Sequence, residues 1–328
     1  MMLKRLALPG ALAGLLILTA VVTQAGLAEV GDILRRAGWP LLWLVPIHLA
    51  ALWLDARGWR TLLAPADPAA RADTGFLLWV ATVREAVTRL LPSAGIGGEI
   101  VGIRLACRRV PDGSAVTASV VIEVLVTMFA QYLFALAGVL LLVSTTPLTG
   151  HGMLIAIGLV LSLPVPALFA WALRHGAWFT RLEGAARRIL GQEHWLASHI
   201  DGKGLDAQIR ALCGRARALF STLAWQLAGL SVGTLEVWWG LSLLGHPVSF
   251  GAALAIEALT LAARQVVFFI PAGLGVQEAV LMVLGTGLGI APQTSLALAL
   301  VKRARELAFG VPALLSWQWA EWRSLRKA

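Results

Sequence analysis

The chain has 328 residues, of which 58% are hydrophobic and only 14% charged, with a formal net charge of +9. Soluble domains carry roughly 25% charged residues, so a water-soluble globule is excluded, and the lack of strand-like alternation argues for helices over a membrane barrel. The positive excess lies in short loops and one polar stretch between apolar segments, the pattern of a positive-inside bias, which excludes a nucleic-acid partner.

Apolar runs close to the ~20 residues needed to cross a hydrocarbon core occur at Leu6–Leu27, Trp39–Asp55, Ala115–Val143, Gly152–Leu173, Leu219–Leu244 and Pro292–Trp319. Lys4 and Arg5 before the first run and Thr23-Gln24-Ala25 at its end also fit a cleaved signal peptide. The near-span length of that run favours a retained first helix. The polar stretch ~174–218, with Trp171, Trp178, Trp195 and several arginines, reads either as a helix lying at the headgroup level or as a solvated linker. Cys107 and Cys213 are the only cysteines, and they define neither a disulfide framework nor a metal-ligand set.

One motif occurs twice. Pro92-Ser-Ala-Gly-Ile-Gly-Gly-Glu99 and Pro271-Ala-Gly-Leu-Gly-Val-Gln-Glu278 each run from a proline through glycines to a glutamate. An arginine inside an apolar segment precedes each, Arg84 in the first half and Arg264 in the second. Pro92, Gly95, Gly97 and Gly98, and Pro271, Gly273 and Gly275, are expected to form re-entrant turns. Non-helical backbone at membrane depth survives only where protein or a cavity surrounds it.

Charge counting decides how these segments lie. If each motif region crossed the membrane once, the basic stretch Arg174–Arg217 would fall outside, against the bias. If residues ~74–109 and ~250–290 are helical hairpins that enter and leave on one side, nineteen of the 27 lysines and arginines become cytoplasmic and only Arg35 and Arg36 lie outside. The hairpins then open from opposite faces. The expected fold is all-α integral membrane, with about six full spans plus two oppositely oriented re-entrant hairpins. It forms one domain over residues 1–328, with repeat 1 at about 39–146, a connector at about 174–218 and an inverted repeat 2 at about 220–320. Paired broken helices in inverted repeats are a transporter plan.

Thirteen charges lie inside apolar segments: Glu85, Glu99, Glu123, Glu236, Glu257, Glu278 and Glu306 against Arg84, Arg89, Arg264, Lys302, Arg303 and Arg305. Each costs roughly 2.5–3.5 kcal/mol at a helix centre, so pairing is expected. Arg84 and Arg264 either lock helices together through a nearby glutamate or face a central cavity and attract an anionic headgroup. Glu99 and Glu278 are candidates for proton uptake and are expected to approach each other near the midplane. Arg303 is expected to face the bundle centre, and Lys302 and Glu306 are spaced for an intrahelical bridge. Glu123, two turns from Gln131 on one helical face, aligns with Lys302 when the motifs are superposed, which suggests a pair between the repeats. Tryptophans near span ends (Trp39, Trp171, Trp317, Trp319, Trp322) read as interface anchors.

These residues carry a family resemblance. Arg84, Leu91-Pro-Ser-Ala-Gly-Ile-Gly-Gly-Glu99 and Phe268-Phe-Ile-Pro-Ala-Gly-Leu-Gly-Val-Gln-Glu278 resemble the transmembrane-region family of lysylphosphatidylglycerol synthases, the lipid-flipping part of those enzymes. Val120-Val-Ile-Glu123 with Gln131, Glu236-Val-Trp with Leu244-Gly-His-Pro-Val248, and Leu300-Val-Lys-Arg-Ala-Arg-Glu306 look like the hopanoid-biosynthesis-associated branch. Many members have an arginine after the glutamate at the position of Glu123, where this chain has Val124. The chain ends at Ala328, just after the last span, so lysyl transfer to lipid is not expected.

The resulting expectation is a lipid or amphiphile flippase of a bacterial inner membrane with cytoplasmic termini, acting on a hopanoid, a phospholipid or a lipid-linked precursor. Its candidate binding or coupling residues are Arg84, Glu99, Glu123, Arg264, Glu278 and Arg303. Lipid-biosynthesis enzymes are candidate partners; no metal, cofactor or catalytic constellation is expected. A membrane scaffold for lipid-synthesis enzymes and an intramembrane headgroup-modifying enzyme are the alternatives.

Overall fold

The computed structural model describes residues 27–91, 96–145, 168, 171, 175–181, 202–266 and 275–326. The proposed first span Leu6–Leu27, most of the span Gly152–Leu173, much of the connector, and Pro92, Gly95, Pro271 and Gly273 lie outside the described residues. Within them every regular element is helical.

Helix α1 (Leu27–Ala37) leads through a 3-10 turn (Trp39–Trp43) into α2 (Leu44–Leu63). The first hairpin is α3 (Thr74–Leu90) with α4 (Gly97–Ala106), and α5 (Gly113–Thr145) completes the first repeat. After α6 (Gly202–Cys213) the second repeat runs α7 (Ala216–Leu243), the hairpin α8 (Phe250–Val266) with α9 (Val276–Gly287), and α10 (Pro292–Leu325).

Length separates the long helices from the hairpins. Trp39–Leu63, Gly113–Leu141 and Ala216–Leu243, with 25, 29 and 28 residues, are long and apolar enough to cross a membrane. Helix α10 has 34 residues but carries its charges at mid-length. The 10 residues of α4 rise only ~15 Å and the 12 of α9 ~18 Å, against a ~30 Å hydrocarbon core. Neither crosses alone, so each folds back beside its partner.

The repeats are inverted. Equivalent helices α2 and α7 pack antiparallel: Gly58 lies against Trp225 and Thr222, whereas Gly229 lies against Ala51 and Asp55. Each hairpin packs on the long helix of the other repeat. Gly310 of α10 meets Ala86 and Leu90 of α3, and Trp79 Nε1 donates to Ser316 Oγ at 2.8 Å. Reciprocally, Gly138 of α5 lies against Ala255 and Ala258 of α8, and Gln265 Nε2 donates to Gln131. With Glu99 superposed on Glu278, the contact Gly310–Ala86 becomes Gln131–Gln265, so both exchanges share one register.

Apolar burial follows the same division. One core joins α1, α7, α8, α9 and α10; a second joins α2, α3, α4 and α5 and receives Ala313 of α10. A third packs Leu205, Ile209 and Leu212 of α6 on Leu62, Ala118, Ile122 and Leu125. Asp206 of α6 accepts from the backbone N–H of Thr180 at 2.9 Å and from its hydroxyl at 2.7 Å. This part of the connector is therefore packed, and the solvated-linker alternative does not describe it.

Three boundaries are corrected. The second span does not stop at Asp55: the helix continues to Leu63, because nothing breaks it and Ala56, Trp59, Leu62 and Leu63 are all buried. Arg57 and Arg60 are consequently helical, not loop residues. The segment before Trp39 is not a plain loop but α1, whose Val30 and Ala37 are buried on the second-repeat core. The last helix runs past Trp319 to Leu325.

Candidate functional site: a buried ion-pair network

Arg84 organises the first half. It lies on α3, where its stem passes against Gly102 of α4; a Cβ there would sit 2.6 Å from Arg84 Cδ. Gly98 lies against the Arg84 carbonyl oxygen, 2.5 Å from where a Cβ would be. Only glycine admits backbones at that approach, which explains Gly98 of the first motif. The guanidinium stands 4.9 Å over the Trp59 ring, whose Nε1 is fixed by Ser119 Oγ at 3.0 Å. It donates to Glu123 on α5 at 2.7 Å and to Glu99 in the first turn of α4.

In the second half the motif glutamate is again in the first turn of the second hairpin helix, where the helix dipole favours a carboxylate. Gly275, the N-cap of that helix, has φ 76°, which disfavours any side chain. Glu278 accepts from Arg303 Nε at 3.0 Å, and Arg303 also donates to Glu306 at 2.8 Å. Arg264 donates to Gln277 and, at 3.3 Å, to Glu306. Lys302 donates to Glu257 at 2.5 Å, and Arg305 to Glu236.

Glu306, its side chain 1% exposed, is the hub, because Arg89 of the first hairpin approaches it from the other repeat at 4.0 Å. Arg89 also lies 3.8 Å from Glu85, which is 2.9 Å from His48 Nε2. The His48 ring in turn meets Phe309 edge-on at 5.2 Å. Each of the thirteen charges counted from the sequence thus has an opposite partner, as the cost of lone charges in lipid requires. Four buried atoms of the network lack a partner: Glu236 Oε1, Gln277 Nε2, Glu278 Oε2 and Arg305 Nε.

The structure brings Arg84, Glu99 and Glu123 together, and separately Arg264, Glu278 and Arg303 through Glu306. Two proposed pairings are corrected. Glu123 and Lys302 do not bridge the repeats, because each meets a nearer partner in its own half. Lys302 and Glu306 do not bridge each other; both reach across to α8, to Glu257 and Arg264. Glu99 and Glu278 belong to different clusters, each claimed by its own arginine. Among these thirteen charges the repeats meet instead at Arg89 and Glu306. Sequence reasoning passed over His48 and Gln277, although His48 is an ionisable residue inside a span, which is itself a functional signal.

Chemically, the network offers charge and hydrogen-bond donors. Among the described residues no three His, Cys, Asp or Glu side chains converge to hold a metal ion.

Fold and site together define an all-α membrane protein with inverted repeats and a charged interior. The chain belongs to the lysylphosphatidylglycerol synthase transmembrane-region family, whose family model matches residues 6–313. Comparison with curated proteins and with solved structures gave no match.

Proposed function

We propose that this protein moves a lipid or amphiphile across a bacterial inner membrane, with both termini cytoplasmic, and that it catalyses no covalent step. Family membership supports a membrane-lipid role. The observation that carries the finer reading is the ion-pair network at the tips of two inverted hairpins, joined across the repeats by Arg89 and Glu306. Charges this costly to bury mark substrate or ion pathways in membranes, and inverted repeats with broken helices provide a rocking pair around them.

Most arginines of the network are already neutralised by glutamates, so little positive charge is left for a headgroup. An amphiphile with an apolar body and a small polar end suits such a site better than a multiply charged lipid. A hopanoid is of that kind, which keeps the link to hopanoid biosynthesis within this proposal. Reconstitution into liposomes with candidate lipids tests the reading by following transbilayer movement. Arg264→Ala and Glu278→Gln are each expected to slow movement at least tenfold. Wild-type rates in both would overturn the central site, and no movement of any lipid by the wild type would overturn transport.

A further inference from the structure

Asp55 stands apart from the thirteen charges above. Because α2 continues to Leu63, Asp55 lies inside the span, two turns from His48 on the same helical face. Among the described residues it makes no hydrogen bond and no ion pair. The neighbouring bases are committed elsewhere. Arg84 donates to Glu99 and Glu123, His48 faces Glu85, and Arg57 lies over the Trp53 and Trp225 rings at 5.3 and 5.6 Å. Arg60 donates to the Ala72 carbonyl.

The surroundings add like charge. Helix α3 presents Glu85 and Arg84 to Asp55, and α5 presents Glu123. Helix α7 has no charged residue between Arg217 and Glu236 and meets Asp55 at Gly229, where a Cβ would stand 2.8 Å from Asp55 Oδ1. The carboxylate thus lies against the equivalent helix of the other repeat. Charge is unevenly shared between the repeats. In the second, Glu236, Glu257, Glu278 and Glu306 face an equal number of bases, Arg264, Lys302, Arg303 and Arg305. In the first, Asp55, Glu85, Glu99 and Glu123 face only Arg84 and Arg89. A proton on His48, opposite Glu85, and one on Asp55 bring the first repeat to neutrality, as the cost of unpaired charge in a membrane demands.

Resting on the transport reading above, we propose that Asp55 is a proton-binding site whose loading and release drive lipid movement. A proton from water forms the O–H bond of the carboxyl group, and the same bond breaks to return the proton to water on the opposite face as the repeats rock. The charged form repels Glu123 and competes with Glu123 and Glu99 for Arg84; the neutral form leaves Arg84 to both. Protonation therefore reaches Arg84 and, at Gly229, the contact between equivalent helices α2 and α7. A metal ion would need several converging oxygens, and among the described residues no three His, Cys, Asp or Glu side chains converge. A proton needs one carboxylate. Glu99 and Glu278 are each already held by an arginine, and Asp55 by none.

The test uses the full chain in phosphatidylcholine liposomes and follows the infrared C=O stretch of protonated carboxyl groups as pH is raised. The wild type is expected to show a band at neutral pH that fades as pH rises, Asp55→Asn to lack it, and Asp55→Glu to keep it at a shifted position. A wild-type spectrum without a band that Asp55→Asn removes would overturn the site. Replacing choline chloride by sodium chloride is expected to leave the band unchanged; its loss in sodium would assign the site to that cation and overturn the proposal. In the same liposomes, transbilayer movement of fluorescent phosphatidylglycerol and of a fluorescent hopanoid is measured with and without an imposed pH gradient. The gradient is expected to change the wild-type rate at least threefold and to leave the Asp55→Asn rate unchanged; an equal response in both would overturn the coupling. The band in a protein that moves neither lipid removes transport and leaves the proton site; movement without the band does the reverse.

Discussion

Gly98 and Arg84 are in backbone contact across the first hairpin: a Cβ on residue 98 would stand 2.5 Å from the Arg84 carbonyl oxygen and 2.4 Å from Thr88 Oγ1. Gly98→Ala must therefore displace the helix that carries Arg84. Overpacking of this kind costs about 1–3 kcal/mol, and here it also misaligns Arg84 with Glu99. Thermal unfolding in detergent is expected to show a clear loss for Gly98→Ala. Gly287→Ala, where nothing lies within 4 Å of the added atom, is expected to be neutral or slightly stabilising.

Arg84 serves two carboxylates, so its removal is worse than the loss of one bond. Arg84→Ala leaves Glu99 and Glu123 without their cation, at about 3–5 kcal/mol for a broken buried pair. Neutralising both acids in the same chain, Glu99→Gln with Glu123→Gln, is expected to restore most of that stability. Unfolding of the single, double and triple variants in one detergent checks it; no recovery in the triple variant would contradict the pairing.

Lys302 and Glu257 form a closed pair, with 6% and 9% of their side chains exposed. Lys302→Met and Glu257→Leu are each expected to cost about 3–5 kcal/mol, and the double variant to be near neutral. The double variant also bears on function. A scaffold tolerates this matched neutralisation, as does a transporter whose site lies elsewhere in the network. A fall in lipid movement with stability intact would place the pair on the transport route.

Topology can be read by thiol labelling. Thr146→Cys and Pro247→Cys, in a background lacking the native cysteines, are expected to react with an impermeant maleimide from outside, and Cys107 and Cys213 in the wild type only from inside. Burial, and then the nearby Asp112 carboxylate, push the Cys107 thiol above its usual range. Its thiolate fraction at neutral pH is therefore below that of a free thiol, so labelling should be slow at pH 7 and speed up as pH rises. A rate for Cys107 independent of pH between 7 and 9 would contradict this environment.

Much of the architecture was legible in the sequence because it rests on local signals. The hairpins followed from two Pro-to-Glu motifs and the distribution of arginines, and glycines 98 and 275 stand at the positions that demand them. What escaped was mostly pairing. Lys302 and Glu306 satisfy the spacing rule for a bridge within one helix, yet a buried charge takes the partner that the neighbouring helix presents. Glu123 and Lys302 are equivalent in sequence, but equivalence under an inverting axis does not bring two residues together. Helix α1 was missed, although Leu27, Val30, Ile33, Leu34 and Ala37 follow helical spacing, because it is short and lies beside a long apolar run.

Each hairpin rests on the long helix of the opposite repeat, and this exchange separates genealogy from mechanics. The unit that repeats along the chain is α2 to α5 or α7 to α10, whereas the units that hold together by packing are α3 with α10 and α8 with α5. A tilt of one long helix carries a hairpin encoded in the other half, so neither half can move as a lever by itself. The two halves interlock as a clasp, each holding a hairpin of the other.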